Sequence, residues 1–160
     1  MRYIIFILML LPLPVFALSC TPHSISSVYT QAANAKEAYL PVHGKLDFDL
    51  SHLPQTDWEN QQATPNRTLI PAKFKGTALR ARGKPVPFET EVTLEVRCAG
   101  PWCPTPQPGD SLGFLRETAE GYVLSTNACG GFLFARPSKG QVKELQDCLA
   151  GRHCDGIVRR

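Results

Sequence analysis

The 160-residue sequence predicts a mainly β domain: a five-stranded barrel with a helix before it and another after it, held by three disulfides. Three observations carry that expectation. Apolar side chains recur at every second position over long stretches, the clearest spanning 39–50, 69–79 and 86–98. Fourteen prolines and twelve glycines punctuate those stretches with turns. All six cysteines (Cys20, Cys98, Cys103, Cys129, Cys148 and Cys154) follow a hydrophobic leader, an even count in a chain bound for an oxidising compartment.

The chain opens Met1-Arg2 and then runs from Tyr3 to Leu11 with no polar group beyond the tyrosine hydroxyl. A positive start, an apolar run of about a dozen residues and a small-residue cleavage site describe a secretory signal peptide over 1–17. Val15-Phe16-Ala17 sets the cut before Leu18. The stretch falls short of the roughly 20 residues that span a bilayer, and Pro12 and Pro14 break its end. Lipid attachment at Cys20 is the less favoured route, because Ala17-Leu18-Ser19 orders its large and small residues poorly for an acceptor. The expected domain is 18–154, with 155–160 as a tail, and no later apolar run is long enough to cross a membrane. Seventeen basic against fourteen acidic side chains leave the mature chain nearly balanced once Arg2 departs. That balance implies neither a nucleic acid nor an anionic membrane by itself.

Ile25, Val28, Tyr29 and Ala32 fall on one helical face, with Ser24 as the cap. From Tyr39 to Leu50 the period becomes two, with Leu40, Val42, Leu46, Phe48 and Leu50 on one side and Gly44 marking a bulge or sharp bend. Residues 51–67 keep no period and read as a long loop, its one prominent feature Asp57-Trp58-Glu59. A second strand, 69–79, points Ile70, Ala72, Phe74, Gly76 and Ala78 one way, and Gly83-Lys84-Pro85 turns the chain. The third strand puts Val86 through Cys98 alternately inward, leaving Glu89, Glu91, Thr93, Glu95 and Arg97 on the solvent face. Shorter strands follow at 111–115 and 122–125, and 132–134 extends the sheet. Ser138 and Gln141 then form a capping box for a closing helix with Val142, Leu145 and Leu149 as its stripe and Gly151 as its stop.

Five strands, the first bent at a glycine, describe a small barrel of the oligonucleotide/oligosaccharide-binding (OB) type, with a two-sheet sandwich as the alternative. Within that frame two patches resemble the netrin-like module, the fold of the tissue inhibitors of metalloproteinases. Cys20-Thr21-Pro22-His23, followed by a short helix and a strand, resembles the family's cysteine-proline opening. Gly121-Tyr122-Val123-Leu124-Ser125-Thr126-Asn127-Ala128-Cys129 resembles its fifth strand, which ends in a cysteine. The resemblance implies Cys20–Cys129, which leaves Cys98 for Cys103 and Cys148 for Cys154. The competing set joins Cys20 to Cys103 and Cys98 to Cys129. Inhibition in the family depends on a mature N-terminus that is itself a cysteine, whose amine and carbonyl bind the protease zinc. Leu18 or Ser19 stands there instead, which argues against inhibition.

The side chains that carry chemistry elsewhere read mostly as structural here. Four residues separate Cys98 from Cys103 after a strand, with Pro101 and Pro104 against a helix, unlike a redox pair at a helix start. Zinc would need a second cluster, and His23, His43, His52 and His153 show no ligand spacing. Asp47 and Asp49 alternate on one face as solvated strand carboxylates rather than as an acid–base pair. No catalytic, cofactor or metal site is expected. Trp102, at the tip of the cysteine-flanked turn, either folds over the barrel end or stands out as an anchor for a partner. Lys73, Lys75, Arg80, Arg82 and Lys84 form the one basic cluster. They suit an anionic envelope component such as lipopolysaccharide better than nucleic acid, since Phe74 alternates away from the lysines instead of interleaving with them. The sequence thus points to a periplasmic or secreted, non-catalytic binding or structural module with an unidentified protein or anionic envelope partner; the alternative is an inhibitor of a secreted metalloprotease.

Overall fold

The computed structural model describes residues 18–152 and Cys154, so the leader expected over 1–17 and the tail over 155–160 lie outside the described residues, as does His153. The elements run α1 (Ile25–Ala33), β1 (Tyr39–Phe48), β2 (Arg67–Ala78), β3 (Val86–Arg97), β4 (Gly109–Thr118), β5 (Gly121–Asn127), β6 (Leu133–Ala135) and α2 (Lys139–Leu149). Both helices start on capping boxes: Ser24 with Ser27, and Ser138 with Gln141. Each box satisfies two backbone N–H groups that a helix start otherwise leaves unpaired. Past the end of α2, Gly151 takes a φ of 68°, the left-handed conformation that suits a glycine stop.

The sheet closes on itself in the order β1-β2-β3-β5-β4, with β4 returning to β1 and β6 added on β4. Only β3 and β5 run parallel. This is a closed five-stranded barrel of OB type, so the two-sheet sandwich is not formed. Closure places β1 between β2 and β4 over residues 42–46, with both registers unbroken. Of the bulge or sharp bend expected at Gly44, the bulge is therefore absent. Gly44 sits opposite Gly76 in a close crossing, where a Cβ on Gly44 would lie 2.4 Å from the Lys75 carbonyl oxygen.

Two apolar clusters follow from this arrangement. Leu46, Ile70, Phe74, Leu94, Leu115 and Leu124 fill the barrel. Ile25, Val28, Leu79, Leu112, Phe114 and Leu145 make an outer layer where α1 and α2 lie over β4. Each such side chain, fully buried, contributes about 1.5–3 kcal/mol. Strand β4 serves both clusters, which is why every residue from Ser111 to Leu115 is buried. Three expected orientations are corrected. Leu50 leaves the sheet for a 3₁₀ turn and is exposed, because the strand ends at Phe48. Asp49 caps that turn, its Oδ1 accepting from the Ser51 N–H at 2.8 Å, rather than continuing the strand. Glu95, expected in solvent, is 5 % exposed and held by Arg67.

Candidate functional site

Topology gathers the ends of β1, β3 and β5 and the starts of β2 and β4 at one end of the barrel, since Arg67 pairs with Arg97, Arg97 with Asn127 and Leu46 with Gly109. The β1–β2 loop (49–66), the β3–β4 loop (98–108) and the β5–β6 loop (128–132) all emerge there. The N-terminal segment joins them. Cys20 is bonded to Cys129, while Cys98 pairs with Cys103 and Cys148 with Cys154. These are the pairs the resemblance implies, and none of the six cysteines is free.

His23 is the second fastening of the N-terminal segment. Its ring stacks on Phe134 at 4.1 Å between centroids and 9° between planes, and Nε2 lies 2.9 Å from the Gly131 carbonyl oxygen. A Cβ on Gly130 would stand 2.5 Å from Nδ1 of that ring, and Gly130 itself has a φ of 104°. Asn127 shapes the same turn, its Oδ1 accepting from the Cys129 N–H at 2.8 Å. Between His23, Pro106, Asn127, Gly130 and Gln141 lies an open cleft of about 350 Å³. The sequence signal for this clamp was present in His23 and the Gly130-Gly131 pair, but nothing local relates residues more than a hundred positions apart.

The two long loops are tied to each other as well. Thr56 donates from Oγ1 to the Pro101 carbonyl at 3.1 Å, and the Cys98 N–H donates to the Asn66 carbonyl at 3.1 Å. Inside the disulfide ring, Ala99 and Trp102 exchange two backbone hydrogen bonds. Asp57 Oδ1 accepts from the N–H groups of Glu59 and Asn60, a tight turn about Trp58. Trp58 is 65 % exposed and Trp102 38 %. The ring of Trp102 therefore stands partly out of the surface rather than folding wholly over the barrel. Among the described residues the exposed large apolar side chains are Leu18, Leu50, Trp58, Leu69 and Trp102. The first three and Trp102 belong to this end of the barrel, and Leu69 lies on β2 one turn of the pleat from where that strand begins.

The structure divides the basic cluster. Lys73 and Lys75 stand on the outer face of β2, both on Glu89, with Nζ to carboxylate distances of 3.3 and 3.0 Å. Arg80, Arg82 and Lys84 lie beyond the opposite end of β2, in the hairpin leading to β3. Two of the five cations thus share a carboxylate on the sheet, and the other three lie in the hairpin. The cause is strand length, since β2 carries the first two on the sheet and the hairpin carries the rest away. Asp47 faces Lys73 across β1 and β2. His43 Nε2 comes within 3.2 Å of Asp110 Oδ1 without hydrogen-bond alignment. Among the described residues no three of His, Cys, Asp and Glu are grouped to hold a metal ion.

No family model, curated protein or solved structure matches the chain.

Proposed function

We propose that this chain is an exported, non-catalytic binding module that engages a protein partner through the cross-linked end of its barrel, and that it is a distant netrin-like domain. The observation that carries this reading is the concentration of exposed Leu18, Leu50, Trp58 and Trp102 at one end, on segments joined by disulfides and hydrogen bonds. Apolar groups collected on one surface mark interaction sites, and aromatic anchors held rigid before binding lose little entropy when they dock. Three disulfides are what an oxidising space outside the cytoplasm supports, and no helix among the described residues is long and apolar enough to cross a membrane. We assign the protein to the periplasm or the exterior on that basis.

The test is site-specific photo-crosslinking in the native compartment, with the reactive group at position 58, 102 or 143. Lys143 is exposed on α2, two residues past Gln141 and so on the opposite side of the helix from the residue that lines the His23 cleft. The reading requires one partner protein captured from positions 58 and 102, not from 143, and lost when Trp58→Ser and Trp102→Ser are combined. Capture equally efficient from all three positions refutes it. The same end would serve a metalloprotease inhibitor only if processing exposed the amine of Cys20. N-terminal sequencing of the mature protein decides that point.

A further inference from the structure

We infer that the cleft between the β2–β3 hairpin and the carboxyl end of α2 is an anion site that takes the phosphate of a lipid headgroup at the envelope surface. The cleft measures about 320 Å³; Arg80, Lys84 and Arg152 line it, and no carboxylate among the described residues does. Its two walls are fixed before any ligand arrives. On one side, Leu79 is buried in the layer under the helices and its N–H donates to the Pro41 carbonyl at 2.8 Å, so Arg80 leaves the sheet at a set position. Gly83, with a φ of 86°, then turns the hairpin back toward Lys84.

On the other side, Asp147 orients Arg152, accepting from Nε at 3.0 Å and Nη2 at 2.6 Å on Oδ1. The Cys148–Cys154 bridge closes a ring around Arg152. That bond gives the short disulfide a task, because it holds a cation at a helix end that would otherwise fray. Asp147 does not cancel the site's charge. Its Oδ2 accepts from Lys143 Nζ at 2.6 Å, so one carboxylate meets two cations. Arg80, Arg82 and Lys84 have no carboxylate partner among the described residues. Guanidinium groups suit phosphate because their planar donors match its oxygens.

The position is as informative as the charge. Helix α2 begins beside the clustered loops, where Gln141 lines the His23 cleft, and ends beside Arg80. Its eleven residues therefore separate the two sites by about 16 Å along the helix axis. A chain held at the surface through the hairpin end would present Trp58 and Trp102 away from it. A rival explanation is that cations gather at the carboxyl end of α2 simply because its macrodipole is negative there.

Vesicle co-sedimentation separates these accounts. The probes are vesicles of phosphatidylcholine alone and of phosphatidylcholine with phosphatidic acid, at low and moderate salt. Two double variants remove the same formal charge: Arg80→Ser with Lys84→Ser in the cleft, and Lys73→Ser with Lys75→Ser on the sheet. Wild type should bind only the phosphatidic acid vesicles, and less as salt rises. The cleft variant should lose about 30-fold in affinity, following the contribution of two surface cations to an anionic membrane. The sheet variant, whose lysines already meet Glu89, should lose less than about threefold. Equal losses in the two variants, or no binding by wild type, would overturn the site. So would a cleft variant that unfolds at lower temperature yet sediments like wild type, which is the macrodipole account. Calorimetric binding of inorganic phosphate without vesicle binding would overturn the lipid assignment.

Discussion

Glu95 shows how one residue can contradict its strand's pattern for a physical reason. It lies on the outer face of β3, opposite Leu69 on β2 and Ser125 on β5. Burial raises its pKa, but hydrogen bonds from Arg67 and Ser125, with the charges of Arg67 and Arg97, outweigh that and hold the carboxyl below its usual range. A carboxylate depressed in the folded state stabilises above its unfolded pKa of about 4.3, and that stability is lost as pH falls through the folded value. Stability to urea should therefore drop below about pH 4, and Glu95→Gln should flatten that part of the profile while lowering stability at neutral pH. Asp49, Glu89 and Asp147 are also lowered, by Ser51, by Lys75 and Lys73, and by Lys143 and Arg152. They sit at the surface, where water and salt screen such pairs, so their share of the slope is smaller. An unchanged acid limb in Glu95→Gln would remove the assignment.

At the level of the element, the crossing of β1 and β2 decides whether the barrel can close. A Cβ on Gly76 would lie 2.3 Å from the His43 carbonyl oxygen and 2.6 Å from the Gly44 Cα. Both neighbours are backbone, bound into two ladders, so neither has a rotamer to change. Gly76→Ala should cost about 3 kcal/mol or more, at the upper end of overpacking. Gly140, in the first turn of α2, is the control. A Cβ there meets only Ser138 Oγ at 3.6 Å, and Gly140→Ala should add about 0.5–1 kcal/mol by restricting the unfolded chain. Opposite signs in denaturant midpoints support the account; two losses of similar size do not.

Over the whole molecule, the three disulfides differ mainly in the loops they close. Cys20–Cys129 spans 109 positions, whereas Cys98–Cys103 and Cys148–Cys154 span 5 and 6. Loop-closure entropy alone gives about 5 kcal/mol for the long bridge and about 2 kcal/mol for each short one. Replacing both cysteines of each pair by serine should rank the variants in that order by differential scanning calorimetry. If the short bridges matter more for stability than the long one, the entropic ranking fails. The short bridges then gain a different meaning, since each stands at a proposed site, one beneath Trp102 and one around Arg152.

Much of the fold was legible in the chain. Alternation placed Ile70, Ala72, Phe74 and Ala78 inside, and Ser24 and Ser138 set both helix starts, because such signals depend on neighbours within a few positions. The site was legible only in part. Trp102 stood out in its ring, but its meeting with the loop of Trp58, the clamp of His23 on Phe134, the burial of Glu95 and the split of the basic cluster all depend on long-range pairing. Neighbouring residues alone dictated the elements and most of their apolar faces, through local sterics, and the even cysteine count foretold the oxidised state. What each outward face meets was left to barrel closure, which sets together segments that no local pattern relates.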